Sequence, residues 1–124
     1  MELICSKDNV TVDFTPMQEL LGEDYTHYEP VIQTFLNILP NTIASIEKGM
    51  NEKNWEMVYK AAHSAKSSLS VIKINNHYEL VRDIELFARN EQNLQIIPQY
   101  FQQINAQWPV AKTIILDWLA QSAK

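Results

Sequence analysis

Asn54-Trp55-Glu56-Met57-Val58-Tyr59-Lys60-Ala61-Ala62-His63-Ser64-Ala65-Lys66-Ser67-Ser68-Leu69-Ser70-Val71-Ile72 is the stretch on which the fold turns. Its apolar residues Val58, Ala61, Ala62, Ala65, Leu69 and Ile72 recur at three- and four-residue steps, the spacing that lines one face of an α-helix. Asn54, whose side-chain oxygen can accept from an amide of the first turn, marks the start, and the periodicity predicts a helix to about Lys73. At about 100° per residue, His63 falls nearly opposite the centre of the apolar stripe. A helix built this way buries its alanines and its leucine and turns one histidine to water.

One helical turn from His63 lie Tyr59 and Lys60 on one side and Lys66 and Ser67 on the other, with Glu56 and Ser70 a turn further out. The result is an open, partly cationic patch. Small serines leave the imidazole accessible, and Lys66 at i+3 can bring an ammonium to an anion bonded to the ring. Phosphoryl transfer to histidine needs a neutral ring nitrogen as nucleophile, room for in-line approach and a cation for the charge on the moving group, and all three are within reach of this face. No Gly-rich phosphate-binding loop and no metal-binding carboxylate pair accompanies the histidine, so the chain is not expected to bind or hydrolyse a nucleotide.

Outward from this segment the helix signals continue. Upstream, Thr15-Pro16 followed by Gly22 predicts a short leading helix, and Thr26-x-x-Glu29 predicts a capping box. That box opens a long helix with Tyr28, Ile32, Phe35, Leu39, Ile43 and Ile46 on one stripe, kinked or broken at Pro40 and ended by Gly49. Downstream, Asn75-Asn76 breaks the chain before a helix carrying Leu80, Val81, Ile84, Phe87 and Ala88, and Asn90 and Asn93 mark a turn. A last helical segment runs from Leu94 to Leu119, with Pro98 tolerable in its first turn and Pro109 expected to bend or split it. Only Val10-Thr11-Val12-Asp13-Phe14 alternates like a strand, too isolated to form a sheet alone. The expected fold is all-α: an antiparallel four-helix bundle with a short leading helix and a C-terminal helical extension.

Composition agrees with this. A chain of 124 residues suits one domain with one modest core, and its two glycines disfavour a turn-rich β design. Ten basic against fifteen acidic residues, without a basic cluster, make nucleic acid and anionic membrane poor partners. Cys5 is the single cysteine, so no intrachain disulfide or thiolate cage is possible, and a reducing, cytoplasmic setting fits. The apolar runs are too short to span a bilayer and the first residues lack a basic region followed by an apolar core.

The run Ala62-His63-Ser64-Ala65-Lys66-Ser67-Ser68-Leu69, followed without a gap by Ile72, Leu80 and Ile84-Glu85, resembles the signature of histidine-containing phosphotransfer (HPt) domains. Phe35, Pro40 and Asn54-Trp55 resemble the family's preceding helices and the cap before the histidine helix, and the likeness covers roughly residues 14 to 106. It implies that His63 is the phosphorylated residue, that Lys66 assists the phosphoryl group and that Ser67 holds the small position that keeps access open. It also implies partners: receiver domains of response regulators or of hybrid histidine kinases, which bring the magnesium, leaving this chain a monomeric carrier with no cofactor and no kinase activity. Tyr59, Lys60 and Ser70 would belong to the docking surface. The alternative is a helical adaptor that binds or sequesters a receiver without accepting phosphate. The sequence departs from the family pattern in three places. Ser67 stands where Gly is commonest, Lys73-Ile74 where Gly-Ala often ends the histidine helix, and His77 where Leu is usual.

His77 shares an apolar face with Leu80, Val81 and Ile84, so it is expected to be packed or at the rim of the core with one nitrogen satisfied; His27 is expected in solvent. No two histidines stand at i, i+4 and none has a Cys or Glu to complete a zinc set. Trp55, Trp108 and Trp118 fit a core or groove-capping role. Tyr59 either lies flat over the helix or meets a partner. Glu47, Lys48, Glu52, Lys53, Arg82 and Arg89 are assigned to a solvated surface.

Overall fold

In the computed structural model, which describes residues 2–122, two strands come first, β1 (Ile4–Lys7) and β2 (Val10–Asp13). A short helix α1 (Thr15–Leu21) and a 3-10 turn over Tyr25–His27 lead into the long helices α2 (Tyr28–Asn51) and α3 (Trp55–Leu69). Then come β3 (Lys73–Ile74), α4 (His77–Asn90), a 3-10 turn over Leu94–Ile96 and α5 (Ile97–Ser122). The chain is mostly helical, as its periodicity demands, and the correction to the expected all-α fold is a small antiparallel sheet in the order β1-β2-β3.

The sheet exists because the alternating segment Val10–Asp13 finds two partners. Asp8 and Asn9, both with positive φ, make the two-residue turn that pairs β1 with β2, Ile4 opposite Asp13 and Lys7 opposite Val10. On the other edge Val12 pairs with Ile74 and Asp13 with Lys73. Asn75 fixes this contact: its Oδ1 accepts from the Thr11 amide at 2.7 Å, and its own amide donates to the Thr11 carbonyl at 2.9 Å. Lys73-Ile74 is therefore strand and α3 stops at Leu69, short of the expected Lys73, while Ile72 remains fully buried. Pairing with β2 is the physical reason for the strand at this turn.

Local signals are met with some shifts of position. Asn54 caps α3 through Oδ1 and the Met57 amide at 3.1 Å. Gly22 ends α1 with φ of 78°. Thr26 caps nothing; Asp24 accepts from the Thr26 amide and starts the 3-10 turn, and α2 begins only at Tyr28. Gly49 does not end α2 but lies buried inside it, where a Cβ would sit 2.7 Å from Val58 Cγ2 and 3.1 Å from the Asn54 carbonyl oxygen. Pro40 and Pro109 both lie within unbroken helices; the carbonyls they free belong to Leu36 and Asn105, neither of them buried, which limits the cost of the missing hydrogen bond.

The buried side chains form one continuous cluster. α3 packs between α2 and α4, and α5 packs against the same two helices. At one end Phe14 stacks on Trp118 with ring centroids 4.2 Å apart, and Trp118 Nε1 donates to the Glu2 carbonyl at 2.8 Å. Trp118 is buried, whereas Trp55 and Trp108 are half-buried against the core. Flanked by helices on both sides, α3 keeps one strip open to water, and His63 lies on that strip. Among the described residues no helix is long and apolar enough to cross a membrane.

Candidate functional site

His63 is held at the surface by the regularity of α3: Ala61, Ala62 and Ala65 around it are buried, and its own side chain is 62% exposed. Its Nδ1 lies 2.9 Å from Oε2 of Glu85, which projects from α4 and whose side chain is only 10% exposed. The other carboxylate oxygen, Oε1, is 2.8 Å from Nζ of Lys66, and Nη2 of Arg89 is 3.0 Å from Oε2. Two spacings assemble this group. His63 and Lys66 stand three apart on α3, and Glu85 and Arg89 four apart on α4, so each pair shares the flank that meets the other helix. The guanidinium of Arg89 in turn lies 4.9 Å from the centroid of the Tyr59 ring.

The electrostatics of Glu85 decide the state of the ring contact. Burial, the largest single influence, pushes its carboxyl up, but hydrogen bonds from Lys66 and His63 and the charge of Lys66 outweigh it and bring it below the ordinary carboxylate range. Glu85 is thus ionised at neutral pH and can only accept hydrogen bonds. The contact with His63 is made by Nδ1–H, so in the neutral imidazole the lone pair resides on Nε2. Nε2 has no hydrogen-bond partner among the described residues. A ring nitrogen with a free lone pair on an exposed side chain, an imidazole oriented by a buried carboxylate and an ammonium on that carboxylate together make an arrangement that can act as a nucleophile.

Each expected site residue has a definite place. Lys66 shares the Glu85 carboxylate with His63, its ammonium 2.8 Å from Oε1, leaving two of its three N–H donors uncommitted. Ser67 is exposed one turn from His63, and Ser70 Oγ donates to the Ser67 carbonyl at 2.6 Å where α3 ends. Lys60 points away from the ring and forms an exposed pair with Glu56 at 2.7 Å. Tyr59 lies half-buried beneath Arg89. The sequence brings in Glu85 only as part of a resemblance; Arg89 is on the exposed surface as expected, and it also pairs with Glu85. The i, i+4 spacing of Glu85 and Arg89 was the available signal.

His77 is buried as expected, its Nε2–H donating to Gln107 Oε1 at 2.7 Å, and His27 is exposed beside Asp24. Among the described residues no three His, Cys, Asp or Glu side chains gather closely enough to hold a metal ion. Beside the His63 strip an open, mostly apolar groove runs between α2 and the end of α3, lined by Pro30, Val31, Phe35, Ile38, Ser68 and Val71. Comparison with family models, with curated proteins and with solved structures returns no match.

Proposed function

We propose that this chain is a phosphorelay intermediate in two-component signalling, accepting a phosphoryl group on His63 from a receiver-domain aspartate and passing it to another receiver. The observation that carries the reading is the exposed Nε2 of a ring whose Nδ1–H is held by Glu85. In the forward step the Nε2 lone pair attacks phosphorus in line, the P–O bond to the aspartate breaks, and the aspartate departs as a carboxylate with the bonding electrons. The ring then carries phosphorus on Nε2 and a proton on Nδ1, and its positive charge faces the Glu85 carboxylate. In the onward step the same proton makes neutral imidazole the leaving group, so the P–N bond breaks without forming an imidazolide anion. The free donors of Lys66 can reach the phosphoryl oxygens.

On this reading α2 to α5 form an antiparallel four-helix bundle of the HPt kind, α5 runs on as its extension, and the chain is one cytoplasmic, monomeric domain. The magnesium ion comes with the receiver, and the carrier has no kinase activity of its own. Tyr59, Lys60 and Ser70, with the apolar groove between α2 and α3, would meet the receiver. The groove also favours a second reading, an adaptor that binds a receiver without taking its phosphate. Incubation with a phosphorylated receiver separates the two. The relay gives an acid-labile, base-stable label on the wild type and none on His63→Gln; the adaptor gives binding that survives His63→Ala and no phosphorylated carrier.

A further inference from the structure

We infer that Arg89, supported on the ring of Tyr59, is a positioning residue that sets the hydrogen bond between Glu85 and His63; its consequence for phosphoryl transfer rests on the relay reading above. Four side chains form two rungs between α3 and α4. The first rung is His63 against Glu85, 2.9 Å between Nδ1 and Oε2; the second is Tyr59 under Arg89, 4.9 Å from ring centroid to guanidinium carbon. Tyr59 precedes His63 by four residues and Arg89 follows Glu85 by four, so each rung lies one helical turn from the other. The contact along α4 from Arg89 Nη2 to Glu85 Oε2, 3.0 Å, joins them.

This contact matters because the last torsion of a glutamate side chain is soft. Lys66 grips Oε1 alone, and a carboxylate held at one oxygen can still turn about its axis and swing Oε2 away from the imidazole. Arg89 holds the second oxygen, the one that also accepts from Nδ1–H, and so fixes the carboxylate plane. Arg89 itself is 55% exposed, so a long flexible side chain needs a reason to stay in place. The Tyr59 face supplies it, since a planar guanidinium stacks on an aromatic ring while keeping its edge donors free for the carboxylate. Tyr59, half-buried beneath Arg89, thus has a partner within the chain.

The test uses the whole chain, labelled with 15N in its imidazoles, and compares wild type with Arg89→Gln, Tyr59→Leu and Tyr59→Phe. Nitrogen shifts of His63 read the tautomer directly: the wild type should be mainly Nδ1–H. Arg89→Gln and Tyr59→Leu should move it toward the Nε2–H form, and Tyr59→Phe, which keeps the ring, should leave it unchanged. Transfer from a phosphorylated receiver should slow by roughly tenfold or more in the first two, by analogy with the loss of a group that orients a metal-ligating histidine. Wild-type nitrogen shifts in Arg89→Gln and Tyr59→Leu would overturn the inference, whether or not transfer occurs. If the wild type accepts no phosphoryl group while the variant shifts still move, the positioning role stands and the relay reading falls.

Discussion

Replacing Glu85 by glutamine keeps the shape of the side chain and removes its charge, which makes the consequence calculable. The carboxylate accepts from Lys66, His63 and Arg89 at 2.8, 2.9 and 3.0 Å. Glutamine offers one acceptor oxygen where the carboxylate offers two, so its amide N–H faces either Lys66 or the donors of His63 and Arg89, and a buried polar group left without its partner costs up to about 3 kcal/mol. His63 and Arg89 are more than half exposed and recover water, which reduces the expected loss to about 2 kcal/mol. In urea that lowers the unfolding midpoint by roughly 1 M. The pH dependence gives the sharper test. Because the folded carboxyl titrates below its ordinary value, its contribution is complete above the unfolded glutamate pKa of about 4.3 and is lost as acid protonates the folded form. Urea melts of wild type and Glu85→Gln should therefore differ fully at pH 7 and converge toward pH 3. A difference that is the same at both ends would refute the ionic account of this cluster.

Two further outcomes follow from packing. Gly49→Ala gains about 1 kcal/mol of helix propensity but drives a methyl into Val58 and the backbone of Asn54, where overpacking costs about 1–3 kcal/mol, so a net loss near 1 kcal/mol should appear in denaturant melts. Stability equal to or above wild type would show that α2 and α3 are not in tight contact there. His77 titrates below its ordinary value because burial disfavours the cation, only partly offset by Gln107. The unfolded histidine takes a proton below pH about 6.5 and the folded one resists, so stability falls with pH from that point downward. His77→Leu should lose less stability than wild type between pH 7 and 5, and equal slopes would contradict the assignment.

The helices were legible because each carries an apolar stripe of its own, which a single sequence displays without reference to any partner. Asn54 and Gly22 were legible for the same reason: a cap and a left-handed terminus are local chemistry. β3 was not, since two residues have no periodicity and owe their conformation to Val12 and Asp13, some sixty positions away. Gly49 was misread as a terminator because its role is steric and lies across the α2–α3 contact. The same limit explains the site. A wheel drawn for α3 turns His63 to the surface but says nothing about α4, so the pairing of Glu85 with His63, Lys66 and Arg89 is not legible from it. The histidine was visible in one helix; the carboxylate that orients it required two.

The most direct test of the central claim is to treat the chain with a phosphorylated receiver and identify the phosphorylated atom by phosphorus and nitrogen NMR. The account predicts an acid-labile, base-stable phosphoramidate on Nε2 of His63, absent in His63→Gln. Phosphate on Nδ1, on another residue, or equally on the His63→Gln variant would contradict it.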